Sequence, residues 1–144
     1  MPRKSNKPEA SKRKRILLVD DHPLMRRGQA DLLNRETDMT VCGGAGTARE
    51  AMEAIATLKP DLVLVDMALP DKDGLELIKD VQALHPSLPL LAMSMQDEAL
   101  YAPRVLRAGG RGYLMKQEGP ELLAAAIRTV LNGQVALSPR MSAR

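Results

Sequence analysis

Aromatic rings are almost missing from this chain: its 144 residues include no tryptophan, no phenylalanine and only two tyrosines, Tyr101 and Tyr113. Its core must therefore be packed from Leu, Val, Ile, Ala and Met, and the composition argues against a base-stacking surface for single-stranded nucleic acid. Cysteine is equally scarce. Cys42 stands alone among apolar and small residues, which excludes an internal disulfide or a thiolate metal cluster and suits a small core residue. No apolar run approaches the length that spans a bilayer, and no apolar signal segment follows the basic start, so the cytoplasm is the expected location.

Charge is present but segregated. Residues 1–15 carry Arg3, Lys4, Lys7, Lys12, Arg13, Lys14 and Arg15 against Glu9, a net +6 in a chain whose total is +3, which leaves the remainder at −3. We read 1–15 as a basic, disordered, solubilising tail ahead of a mildly acidic domain.

Short apolar runs at 16–20, 39–45, 62–66, 88–94 and 112–115 alternate with segments of helical period. That alternation predicts an α/β fold, a doubly wound five-stranded parallel sheet of the flavodoxin-like (βα)₅ kind with helices on both faces. Thr47 to Glu50 reads as a capping box opening a helix closed by Lys59-Pro60, with Ala51, Ile55 and Leu58 facing in. Asp73-Gly74 opens the next, with Leu75, Ile78, Val81 and Leu84 inward and Pro86 as its stop. Pro103 predicts that the fourth helix starts late, near Tyr101 or Ala102, or is bent, and Gly109-Gly110 ends it. Pro120 suits the first turn of the last helix, and Asn132-Gly133 its end.

Ligands of such sheets lie beyond the carboxyl ends of the strands, where the strand order reverses. Polar residues gather at those ends: Asp20 and Asp21 after the first strand, Asp66 after the third, Ser94 after the fourth and Lys116 after the fifth. Clustered carboxylates repel one another unless a cation sits among them, and an all-oxygen set favours Mg²⁺ or Mn²⁺. Asp66 would then be a nucleophile toward an activated phosphoryl group, with Lys116 balancing the oxygens and Ser94 offering a hydroxyl donor. His22 beside Pro23 reads as a helix-leading residue, and Gly43 to Gly46 as a flexible strand-to-helix turn lacking the spacing of a P-loop.

From about residue 16 to residue 132 the chain resembles the receiver domain of two-component response regulators. The resemblance is carried by Val19-Asp20-Asp21-His22, Asp66-Met67-Ala68-Leu69-Pro70 with Gly74, Ala92-Met93-Ser94, and Gly112-Tyr113-Leu114-Met115-Lys116. It implies a phosphoacceptor at Asp66 that is not a turnover enzyme. It also implies a metal held by Asp21, Asp66 and the backbone carbonyl of Ala68, with Asp20 nearby through water. Ser94 and Lys116 would contact the phosphoryl group, and Tyr113 would move inward as the Ser94 loop closes. The implied donor is a phosphohistidine on a sensor histidine kinase, and a homodimer is compatible with the family.

Asp21-His22-Pro23 and the ending from Asn132 to Pro139 resemble the NarL/FixJ group, in which a linker leads to a LuxR-type helix-turn-helix. The expected organisation is a tail at 1–15, a receiver at 16–133 and a linker at 134–144 toward an absent output domain that would contact DNA. An excised receiver is the preferred reading, and a product acting without its own DNA-binding unit is the other. Gln117, Gly44, Gln29 and Pro103 depart from the common pattern of the family, none of them in the acid set. Ala68 offers no side chain to steer an attacking water, so slow loss of the phosphoryl group is expected. The competing functions are a phosphorylation-independent interaction module and a small Asp-nucleophile phosphatase, against which Ala68 stands where a general acid would be needed.

Overall fold

The computed structural model describes residues 12–118, 121–138 and 141. Strands and helices alternate: β1 (Lys14–Val19), α1 (Pro23–Asn34), β2 (Met39–Ala45), α2 (Ala48–Leu58), β3 (Leu62–Asp66), α3 (Gly74–Leu84), β4 (Leu90–Ser94), α4 (Glu98–Ala108), β5 (Gly112–Met115) and α5 (Glu121–Leu131). The sheet order is β2-β1-β3-β4-β5 with every pair parallel. Its order therefore reverses between β1 and β3, where a crevice must open.

Each central strand is buried on both faces, which is why its sequence is an uninterrupted apolar run rather than an alternation. On one face Leu17, Val19, Val63 and Val65 pack with Ala51 and Ile55 of α2, Ile78 of α3 and Val105 of α4. On the other, Ile16, Leu18, Leu62 and Leu64 pack with Leu33 of α1 and Ile127 of α5. Cys42 is half-buried and packs against the first of these layers.

Several details differ from the sequence reading. β1 takes in Lys14 and Arg15, β4 begins at Leu90, and Gly43 and Gly44 lie inside β2 rather than in a turn. In α3 the buried residues are Gly74, Leu77, Ile78 and Val81, while Leu84 is 67% exposed. A stripe repeated strictly every three residues slides around a helix of 3.6 residues per turn, so Leu75 and Leu84 end on opposite sides. The fourth helix does not start late: α4 begins at Glu98 and carries Pro103 within it. Glu98, Ala102 and Val105 share one buried face, and that packing overrides the local preference of the proline. Gly109, at φ 110°, then closes α4 with Gly109 N donating to Leu106 O and Gly110 N to Val105 O.

At the start of α2 the Thr47 side chain accepts from Glu50 N at 3.0 Å, and the Glu50 carboxylate reaches back to Gly46 N at 2.9 Å. Asp71, from the β3–α3 loop, accepts from Ala48 N and Arg49 N, and its carboxyl is held below the ordinary range by those amides. The disorder expected of residues 1–11, and Pro120 at the head of α5, lie outside the described residues.

Candidate functional site

Register brings the polar residues together. β1, β3, β4 and β5 end side by side, with Val19 opposite Val65, Asp66 opposite Met93, and Ser94 opposite Met115. Asp66 closes β3 at 3% exposure and Asp20 follows β1 at 2%. Lys116 Nζ lies 2.8 Å from Asp66 Oδ2 and 3.4 Å from Asp20 Oδ2, so one ammonium bridges two buried carboxylates. Asp66 Oδ1 accepts from Ala68 N at 3.1 Å. The loop after β3 is thereby folded over the carboxylate it follows. Gly74 makes room for this turn, because a Cβ there would lie 2.7 Å from the Met67 Cα.

Asp20 Oδ1 accepts from His22 N and faces His22 Nδ1, both at 2.9 Å. Asp21 Oδ1 is 3.0 Å from the same ring nitrogen, yet it is a buried oxygen without a hydrogen bond. One ligand atom from each of Asp20, Asp21, His22 and Asp66 lies within 4.8 Å of the others. His22, read from the sequence as merely helix-leading, thus leans over the acid set, although it is also the N-cap residue of α1.

Burial pushes the Asp66 carboxyl up and Asp20 adds to this, while Lys116 and the Ala68 amide pull it down; its pKa ends above the ordinary carboxylate range. For Asp20 burial acts upward too, but the His22 hydrogen bonds and Lys116 outweigh it and the result is below the ordinary range. Lys116 is held above the usual lysine value, its burial opposed by Asp66 and Asp20. The arrangement is short of positive charge. Three carboxylates gather where one ammonium reaches only two of them, and the unsatisfied Asp21 oxygen points to a place for a cation.

Ser94 is buried and its hydroxyl accepts from Gln96 N at 3.0 Å. Asp66, Ala68, Ser94, Tyr101 and Lys116 line one cavity of about 260 Å³, open to solvent. Tyr113 is at the next level below. Its ring is already inside, 2% exposed, and its hydroxyl donates to Gln96 O at 2.7 Å.

Two contacts escaped the sequence reading. Arg26 Nη1 donates to the Asp20 carbonyl, and its side chain lies against Gly44 and Gly46, where added Cβ atoms would come within 3.3 and 3.0 Å of it. The glycines therefore form a bed for an arginine and not a loose turn. Glu98 is a buried carboxylate that accepts from Ser138 N at 2.8 Å. The first bond spans only six residues, but the glycines Arg26 rests on come from the end of β2, and the second joins groups 40 residues apart, so neither shows as a local pattern.

The model of the response regulator receiver domain family matches residues 16–128. Response regulator GacA of Pseudomonas viridiflava is 35% identical over 128 residues, 89% of this chain and 60% of that protein. The transcriptional regulatory protein YxjL of Bacillus subtilis (strain 168) is 37% identical over 120 residues, 83% of this chain and 55% of that protein. The chain therefore spans under two thirds of the length of these relatives. A crystal structure of a LuxR-family two-component response regulator from Aurantimonas sp. SI85-9A1 superimposes with a TM-score of 0.85 at 32% identity, covering 90% of this chain and 93% of that one. The receiver domain of the putative response regulator NarL from Mycobacterium tuberculosis aligns with a TM-score of 0.80 at 28% identity, covering 85% and 99%. With the family model spanning most of the chain and the fold shared with these receivers, the chain belongs to the response regulator receiver domains of two-component signalling.

Proposed function

We propose that Asp66 is the phosphoacceptor of this receiver, taking a phosphoryl group from a phosphohistidine on a sensor histidine kinase. The observation that carries this is Lys116 Nζ at 2.8 Å from Asp66 Oδ2, on a carboxylate that faces the same open cavity as Ser94. An Asp66 oxygen attacks phosphorus, the bond to the donor nitrogen breaks, and an acyl phosphate forms as the imidazole leaves. Lys116 stays within reach of the incoming oxygens, and the Ser94 hydroxyl, which accepts from Gln96 N, donates its own hydrogen to one of them.

A divalent cation fits this donor set. Asp21, with its unsatisfied buried oxygen, Asp66 and the Ala68 carbonyl would hold Mg²⁺ or Mn²⁺, with Asp20 close by. When bound, the ion neutralises phosphoryl oxygens during transfer. Ala68 has no acidic side chain to protonate a leaving group, which supports a once-modified acceptor over a turnover phosphatase.

Residues 134–144 would act as a linker toward an output unit, and through it the whole protein would control transcription, as the name of the relative YxjL suggests for that protein. A homodimer is compatible with this reading, and any contact with DNA would be made only through that output unit. No helix among the described residues is long and apolar enough to cross a membrane, which suits a cytoplasmic regulator. The test is intact-mass measurement after incubation with a small phosphodonor and Mg²⁺. One phosphoryl group should appear on the wild type and none on Asp66→Asn; equal modification of both would remove Asp66 from this role.

A further inference from the structure

The segment that leaves α5 turns back onto the sheet. Gly133, at φ 83°, reverses the chain with Gly133 N donating to Val130 O and Gln134 N to Thr129 O. Residues 134–138 then lie along the free edge of β5. Tyr113 N donates to Ala136 O at 2.9 Å and Ala136 N to Arg111 O at 3.0 Å, so Ala136 forms a parallel bridge with Gly112. Gly112 is needed for this approach, since a Cβ would sit 2.7 Å from Ala136 O. Ala136 is buried by the contact.

Two residues further, the segment meets the start of α4. Ser138 N donates to Glu98 Oε2 at 2.8 Å, and Glu98 is only 7% exposed. A buried carboxylate needs donors, and here a main-chain amide of the outgoing segment supplies one. The other end of the same turn is the candidate site: the Ser94 hydroxyl accepts from Gln96 N, Gln96 O accepts from the Tyr113 hydroxyl, and Glu98 follows two residues later. Ser94 at the cavity and Ser138 on the outgoing segment are thus joined through residues 94–98.

We propose that Glu98 is the coupling residue of a latch: its bond to Ser138 holds residues 134–138 on the β5 edge, and movement of the Ser94 turn toward a phosphoryl group on Asp66 withdraws Glu98 and frees the segment. The latch rests on Asp66 being the phosphoacceptor. Ser94 can donate its hydrogen to a phosphoryl oxygen while still accepting from Gln96 N, so a Ser94 drawn toward Asp66 pulls the turn with it through that bond, and the turn carries Glu98. Freed residues lengthen the tether to whatever follows, and the vacated β5 edge exposes Arg111 O and Tyr113 N for strand addition.

Amide exchange of the full 144-residue chain tests this, with beryllofluoride and Mg²⁺ as the mimic and the resonances of Ser94 and Lys116 reporting its binding. In the wild type the bound mimic should speed exchange at Ala136 and Ser138 by about tenfold or more. Glu98→Ala should exchange fast there with or without the mimic, while core amides such as Leu18 and Leu64 stay protected. Glu98→Gln, which keeps an acceptor oxygen, should restore the protection seen without the mimic. Bound mimic with unchanged exchange at Ala136 and Ser138, or wild-type protection in Glu98→Ala, overturns the latch and leaves the acceptor role of Asp66 intact. Failure of the mimic to bind overturns both.

Discussion

Asp66 and Lys116 are paired deep in the sheet end, and the balance of charge around them makes the folded state dependent on what else occupies the site. Burial is the largest influence on Asp66 and leaves its carboxyl harder to ionise than in the unfolded chain. Above the raised folded value, then, its charge works against folding; this cost fades as pH falls through the folded value and is gone below the ordinary carboxylate value near ~3.9. Replacing Asp66 by Asn keeps the shape and removes the charge. Thermal melting at neutral pH in a chelating buffer should show Asp66→Asn more stable than the wild type. Added Mg²⁺ should stabilise the wild type by mass action and the variant far less, because only the former offers the full carboxylate set. A variant that melts lower than the wild type without metal would mean that the Lys116 pair outweighs the burial of Asp66.

α4 shows what packing can impose on an element. Pro103 lacks the amide that would bond the Ala99 carbonyl, and a proline inside a helix costs roughly 3 kcal/mol relative to alanine. Part of that is offset because proline also restricts the unfolded chain, by about 0.4–1 kcal/mol. Pro103→Ala should therefore stabilise the domain by about 2 kcal/mol, read as a higher urea midpoint at unchanged slope. An unmoved midpoint would show that the helix has already relaxed around the ring. The same contrast explains how far the fold and site were legible in the sequence. The strands were readable because burial on both faces turns each into a run such as Leu62 to Val65, and the site because Asp20, Asp66, Ser94 and Lys116 follow those runs directly. Helix faces were readable only in part, as Leu84 shows. The Asp71 cap on α2, the Arg26 contact with Asp20 and the Glu98–Ser138 bond depend on how finished elements approach one another, which no local pattern encodes.

At the scale of the molecule, the last helix is fastened to the connection between α1 and β2. Arg128 of α5 bonds both oxygens of Asp38, with Nε to Oδ2 at 2.8 Å and Nη2 to Oδ1 at 3.0 Å, and its Nη2 also contacts Glu36 closely. Asp38 immediately precedes β2 and its carbonyl accepts from Lys14 N, so the fork ties α5 to the β1–β2 side of the sheet across 90 residues. Arg128 holds the Asp38 carboxyl below the ordinary range, mainly through their hydrogen bonds. The side chains are partly exposed, so solvent screening limits the pair to about 1 kcal/mol. A lowered carboxylate pKa contributes stability that is present above the unfolded value near ~3.9 and is lost as pH falls through the folded value. The wild type should then exceed Arg128→Gln by a constant margin in urea unfolding from about pH 7 down to about pH 5, and the margin should shrink below about pH 4. A margin that persists undiminished into acid would show that Arg128 contributes through the packing of its aliphatic stem and not through Asp38.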